Sequence, residues 1–124
     1  MGARAHLPQQ VAIDAYGNGG FRFGGMSHRG SILCLPTGIW DWPVASVDQL
    51  DAASLGEAIA LSGRIGHLLI GTGGAFVPVS RDVRTACEAA GLWVESMDTG
   101  AAARTYNILL AEGRLVGAAL IAVA

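Results

Sequence analysis

The chain has 124 residues, of which 52% are hydrophobic and 15% charged, with a formal net charge of -2. That length matches one domain with a sizeable core, and the composition excludes a disordered or low-complexity chain. All eight basic residues are arginines, spread from Arg4 to Arg114 without a cluster; this argues against nucleic-acid or anionic-membrane partners and removes lysine Schiff-base and Walker-type chemistry.

Residues 1–10, MGARAHLPQQ, lack the apolar core of a secretory signal and read as a loose lead-in to a single α/β domain over residues 11–124. Between AIDAY and GFRFG, the turn Gly17-Asn18-Gly19-Gly20 predicts a hairpin, because Asn and Gly supply positive φ angles. SILCLP and IWDWPV follow as extended apolar runs separated by Pro36-Thr37-Gly38. From Asp51 onward helix and strand alternate. A helix runs from Asp51 to about Ser62, and HLLIG is a short strand. Ser80 caps a second helix that Gly91 stops, and LWVESM is the next strand. Asp98 or Thr99 caps a third helix ending at Gly113, and LVGAALIAV closes the chain as a strand. The order predicts an α/β fold with helices packed on a central sheet and an extra N-terminal hairpin region, the helix-linked strands running parallel. No apolar stretch has the length to cross a membrane as a helix, so no membrane insertion and a cytoplasmic location are expected.

Chemistry is sparse. Cys34 and Cys87 lie far apart without an activating neighbour, and nothing in the spacing joins His6, His28 and His67. His28 is expected in a turn. No metal site, no cofactor and no catalytic residue is predicted. Ser27 and Ser80 lack the GxSxG elbow of a nucleophilic serine.

Two loops can bind an anion. GTGGAF leaves a strand and can present successive backbone N–H groups, with Thr72, Gly73 and Gly74 as candidates. It fits neither the Walker nor the Rossmann pattern, and the competing explanation, the stronger of the two, is a tight strand exit that needs unusual dihedrals. MDTGAAARTYN joins a strand to a helix N-terminus, where Asp98, Thr99, Gly100, Arg104 and Asn107 are candidates. There the competing explanation is a capped helix with Arg104 in a structural pair. If the two strands are neighbours, both loops share the crevice at the strand ends. Trp40 and Trp42 alternate with Asp41 and are either core residues or an exposed anchor for a protein partner.

Taken together, GFRFGG, GSILCLPTGIWDWPV, LLIGTGGAFVPV and MDTGAAARTYNILLAEGRLVGAALI resemble a widespread family of small domains of unknown function. That family includes the mitochondrial respiratory complex I assembly factor three and the adipogenesis-associated domain protein of animals. The resemblance covers residues 11–123. It implies three layers, a central mixed sheet and a last strand antiparallel to its neighbours, and it carries no catalytic residue. On that basis the expected function is a non-catalytic protein-binding or assembly factor linked to respiratory complex I, with a protein partner or a homo-oligomer. The alternative is an anionic-ligand-binding domain or an unrecognised enzyme with its site at the two loops.

Overall fold

The computed structural model describes residues 5–124, with side chains from Leu7 onward. A six-stranded mixed sheet runs through the middle in the order β1-β6-β5-β9-β7-β8, and β2-β3-β4 form a separate antiparallel sheet. The strands of the large sheet are β1 (Ala5–Leu7), β5 (Ser31–Leu35), β6 (Gly38–Trp42), β7 (His67–Gly71), β8 (Trp93–Met97) and β9 (Val116–Leu120). Those of the small sheet are β2 (Ala15–Gly17), β3 (Gly20–Phe23) and β4 (Met26–Arg29). Its first turn is Asn18-Gly19, at φ 52° and 80°, the left-handed angles that a two-residue hairpin requires.

The last strand runs antiparallel to one neighbour, β5, and parallel to the other, β7. It is therefore the seam where an antiparallel half of the sheet meets the parallel β9-β7-β8 half. The register pairs Leu69 with Glu95 and Ala118, and Gly71 with Met97 and Leu120. The strands of the parallel half thus end level with one another.

Alternation along these strands divides the core in two. Leu33, Leu35, Leu68, Ile70 and Ala119 face α2 (Arg81–Ala89) and the short α1 (Gly56–Ala60). Ile32, Cys34, Leu69, Ala118 and Leu120 face α3 (Thr99–Ala111) and the phenylalanines of β3. Both faces being covered explains why β5 and β9 are buried at every position and read as unbroken apolar runs. In α2, Val83 and Cys87 are buried one turn apart, Ser80 Oγ accepts from Val83 N–H at 3.2 Å, and Gly91 at φ 84° ends the element.

The last strand is antiparallel to only one of its two neighbours, and three further elements differ from the sequence expectation. The helix expected from Asp51 to Ser62 is broken into a 3₁₀ turn at Ala53–Leu55, α1, and a second 3₁₀ turn at Ser62–Arg64. Gly56 and Gly63 weaken the helix, and Asp51 and Ser54 bond each other's backbone instead of propagating it. The lead-in is not wholly loose: residues 5–7 pair with β6 at the sheet edge, while residues 1–4 lie outside those described. Gly38 permits this pairing, since any Cβ there would collide with the Leu7 carbonyl. His28 lies in strand β4 rather than a turn, on the inner face, with its Nε2 3.3 Å from Asp41 Oδ1 and from Ser31 O.

Candidate functional site

β7 and β8 are neighbours, so the two glycine-containing loops do meet at the strand ends. Their polar groups face each other. Thr72 N–H donates to Met97 O at 2.8 Å, and Thr99 N–H donates to Gly73 O at 2.8 Å. The centre of this junction is Thr99, fully buried. Its hydroxyl accepts from Gly73 N–H at 2.9 Å and donates to Ile121 O at 2.7 Å. One side chain thereby ties the ends of β7 and β9 to the start of α3. Thr72 Oγ1 accepts from Val77 N–H at 3.1 Å and lies 2.6 Å from Ala75 O and 3.1 Å from Met97 O, its donor choices. A Cβ on Gly71 would stand 2.8 Å from Thr99 Oγ1, so the glycine there serves close approach.

The start of α3 is occupied in the same way. Asp98 Oδ1 accepts from Ala101 N–H at 2.9 Å as the helix cap. The Tyr16 hydroxyl of the hairpin rests against Gly100, where an anion would approach. Gly74, Ala75 and Phe76 are exposed, with Phe76 at 59%. Arg104 is exposed on α3 and forms no hydrogen bond or ion pair among the described residues. Asn107 turns the other way. Its amide donates to Ile13 O and accepts from Ile13 N–H, both at 2.8 Å, while Tyr106 Oη donates to Val11 O at 2.8 Å. Of the eight ligand candidates, Thr72, Gly73, Asp98, Thr99 and Gly100 therefore converge, and Asn107 serves the segment over residues 11–13. None of the described side chains has a buried nitrogen or oxygen lacking a partner.

The tryptophans separate. Trp42 is 3% exposed and its Nε1–H donates to Ser54 O at 2.8 Å, so it is a core residue and no surface anchor. Trp40 is half-buried against the same core, with its Nε1–H on Thr37 Oγ1 at 3.0 Å. The exposed tryptophan is Trp93, at 69%, on the edge strand β8. Register puts it on the α3 side of the sheet with Glu95, whose carboxylate lies 3.3 Å from His67 Nε2. The charged residue two places along was the sequence signal that this face is wet.

Neither thiol is an activated nucleophile. Burial pushes the Cys34 thiol up, against a smaller lowering by a hydrogen bond with Tyr106. Burial also raises Cys87, Arg84 opposing this and Glu88 adding to it. Tyr106 is likewise raised, first by burial and then by Cys34. An unfolded chain loses its Cys34 proton near the ordinary value of 9.0, whereas the folded chain keeps it. Above that pH the unfolded state binds fewer protons, so stability must fall as pH rises, by up to about 1.4 kcal/mol per pH unit for each such group. Urea unfolding between pH 8 and 11 should show this decline, and a shallower one in Cys34→Ala, where Cys87 still contributes. A flat profile would contradict the buried, protonated thiol.

The architecture is that of solved Mth938-like domains; one such domain from Bordetella pertussis superposes with a TM-score of 0.80 at 31% identity, covering 91% of this chain and 86% of that one. The chain belongs to the DUF498/DUF598 family of proteins of unknown function, whose sequence profile matches residues 13–121. A crystal structure described as an outer membrane protein from Bartonella henselae has a TM-score of 0.93 and 43% identity, covering 96% of this chain and all (100%) of that one. An uncharacterized protein of Rhodobacter capsulatus is 40% identical over 90% of this chain and 84% of its own length. The rat protein named NADH dehydrogenase (ubiquinone) 1 alpha subcomplex assembly factor 3 is 36% identical over 93% of this chain. This chain spans 62% of the length of that rat relative. No helix of the described residues is long and apolar enough to cross a membrane.

Proposed function

We propose that this chain is a non-catalytic assembly factor that acts in the cytoplasm by binding a protein partner during construction of an NADH dehydrogenase. The observation that carries this reading is the match to the rat assembly factor over 93% of the chain. The internal use of Gly73 N–H, Thr99 and the Asp98 cap supports binding over chemistry, because the junction has spent its donors on the fold. It also makes an anionic ligand at the two loops the weaker reading.

The partner surface in this proposal is the open edge at β8, with Trp93 as its anchor. An exposed edge strand offers unpaired backbone groups, and a large aromatic beside it is the usual kind of interface hot spot. Affinity purification of the tagged chain from its native cell should recover NADH dehydrogenase subunits or their assembly partners. Trp93→Ser should cut that recovery at least about tenfold, the scale of a hot-spot tryptophan. Normal NADH dehydrogenase levels after deletion of the chain would overturn the assembly role. Unchanged recovery with Trp93→Ser would overturn the β8 surface. A stable homodimer that Trp93→Ser dissociates would assign the same edge to a second copy.

A further inference from the structure

The outer face of the small sheet carries a hollow of about 450 Å³ lined by Ala15, Gly17, Gly20, Arg22, Ser27 and Arg29 among others. Its shape follows from the register. Ala15, Arg22 and Ser27 stand in one cross-strand row, and Gly17, Gly20 and Arg29 in the next. Phe21, Phe23 and His28 point inward and are buried, so Arg22, Ser27 and Arg29 point outward and are exposed. The floor is made of glycine and alanine, and Gly17 has open space where a side chain would stand. This is how a flat hairpin sheet acquires a depression: long side chains rise at the rim and none fills the middle.

The rim is cationic. Arg22 and Arg29 are diagonal neighbours on one face, a geometry that places their Cα atoms about 7–8 Å apart, with Ser27 directly opposite Arg22. Neither guanidinium has an ion-pair partner among the described residues. Asp14 lines the adjoining hollow, on the other side of Arg22, without pairing with it. Two like charges held close with no carboxylate between them are unfavourable for folding alone, and a bound anion would relieve them.

We infer that this hollow binds a small phosphomonoester, its phosphoryl group held by Arg22, Arg29 and the Ser27 hydroxyl. Three donors in a triangle match the three terminal oxygens of a tetrahedral dianion, whereas a planar carboxylate offers two. Two guanidinium charges balance the charge of about -1.5 to -2 that a phosphomonoester carries at neutral pH. The volume leaves room for an organic group beyond the phosphoryl, since ligand pockets begin near 300 Å³. This site is separate from β8 and does not depend on the assembly reading.

The test is a titration of the full chain with inorganic phosphate at constant ionic strength, followed by amide shifts, with acetate as the control. Saturable shifts centred on Gly17, Gly20, Arg22, Ser27 and Arg29 are expected. Arg22→Gln and Arg29→Gln should each weaken phosphate binding roughly tenfold or more, and Ser27→Ala less. Both arginines are exposed, and retained amide dispersion would verify that the variants fold. Affinity should fall as the pH drops below neutrality, where inorganic phosphate becomes a monoanion. Shifts that match those with acetate, persist in both arginine variants, or centre on Gly73 and Gly100 would overturn the site.

Discussion

Replacing Thr99 with valine is expected to lower the unfolding free energy by about 2–4 kcal/mol, while Thr99→Ser should cost about 1 kcal/mol or less. Valine keeps the shape of threonine but has no hydroxyl. Two buried backbone groups would lose their partners together, Gly73 N–H and Ile121 O. Neither can turn to water, because Gly73 and Ile121 are themselves buried. An unmade buried hydrogen bond costs more than a made one contributes, which is why the effect exceeds that of a surface threonine. Serine restores both bonds and loses one methyl group. Chemical denaturation of the three proteins would decide it: a Thr99→Val loss below about 0.5 kcal/mol would mean the junction is not held as described. Such a result would also reopen the loops as a ligand site, since their donors would then be dispensable to the fold.

Asn107→Ala should cost about 1–3 kcal/mol and release the segment before β2. Residues 8–14 belong to no strand, yet Ile13 is 5% exposed and packs in the α3-side core. It is held there by an amide that both donates to and accepts from its own backbone, assisted by Tyr106 on Val11 and by Gln10 Nε2 on Val116 O at 2.7 Å. Asn107→Asp offers a sharper comparison. A carboxylate still accepts from Ile13 N–H but faces Ile13 O with no proton to donate, so at neutral pH it should be no better than alanine. Hydrogen exchange at Ile13 and denaturation of both variants give the readout. Slow exchange at Ile13 in Asn107→Ala would show that packing alone holds the segment. The glutamine variant is a poor rescue, because its longer stem would displace the amide from Ile13.

Both predictions bear on how the candidate site divides. The loops meet as the alternation of strands and helices implied, yet meeting is what closes them. Asp98 is legible as a cap because an acceptor at that position, followed by small residues, is the ordinary start of a helix. Thr99 reads equally as a cap or a ligand, and the difference lies in Ile121, twenty-two residues away. Asn107 looked like a binding residue for the same reason: its partner, Ile13, is ninety-four residues distant. The cationic rim of the small sheet was invisible for a related cause. Arg22 and Arg29 are separated by a turn at Gly24-Gly25, and only strand β4, which has no apolar run to mark it, turns them into neighbours.

Local order was therefore open to the sequence. The Asn18-Gly19 hairpin, the Ser80 and Asp98 caps, the glycine stops and the apolar runs of β5, β7 and β9 follow from φ preferences, capping chemistry and periodicity, each acting within a few residues. Absence of lysine, and of any motif for metal or nucleophile, was equally plain from the residues. Tertiary structure alone decided which polar groups face each other across the strand ends, which tryptophan is wet and which strand is the seam between the two halves of the sheet. Trp42 follows Asp41 yet is buried, and Trp93 lies between Leu92 and Val94 yet is exposed, so neither one's adjacent residues give its burial. What separates them is that Trp42 packs in the core with Leu33 and Leu55, while Trp93 stands on β8, the edge strand of the described sheet. Burial and hydrogen-bond satisfaction depend on what arrives from distant parts of the chain, and no local pattern encodes that arrival.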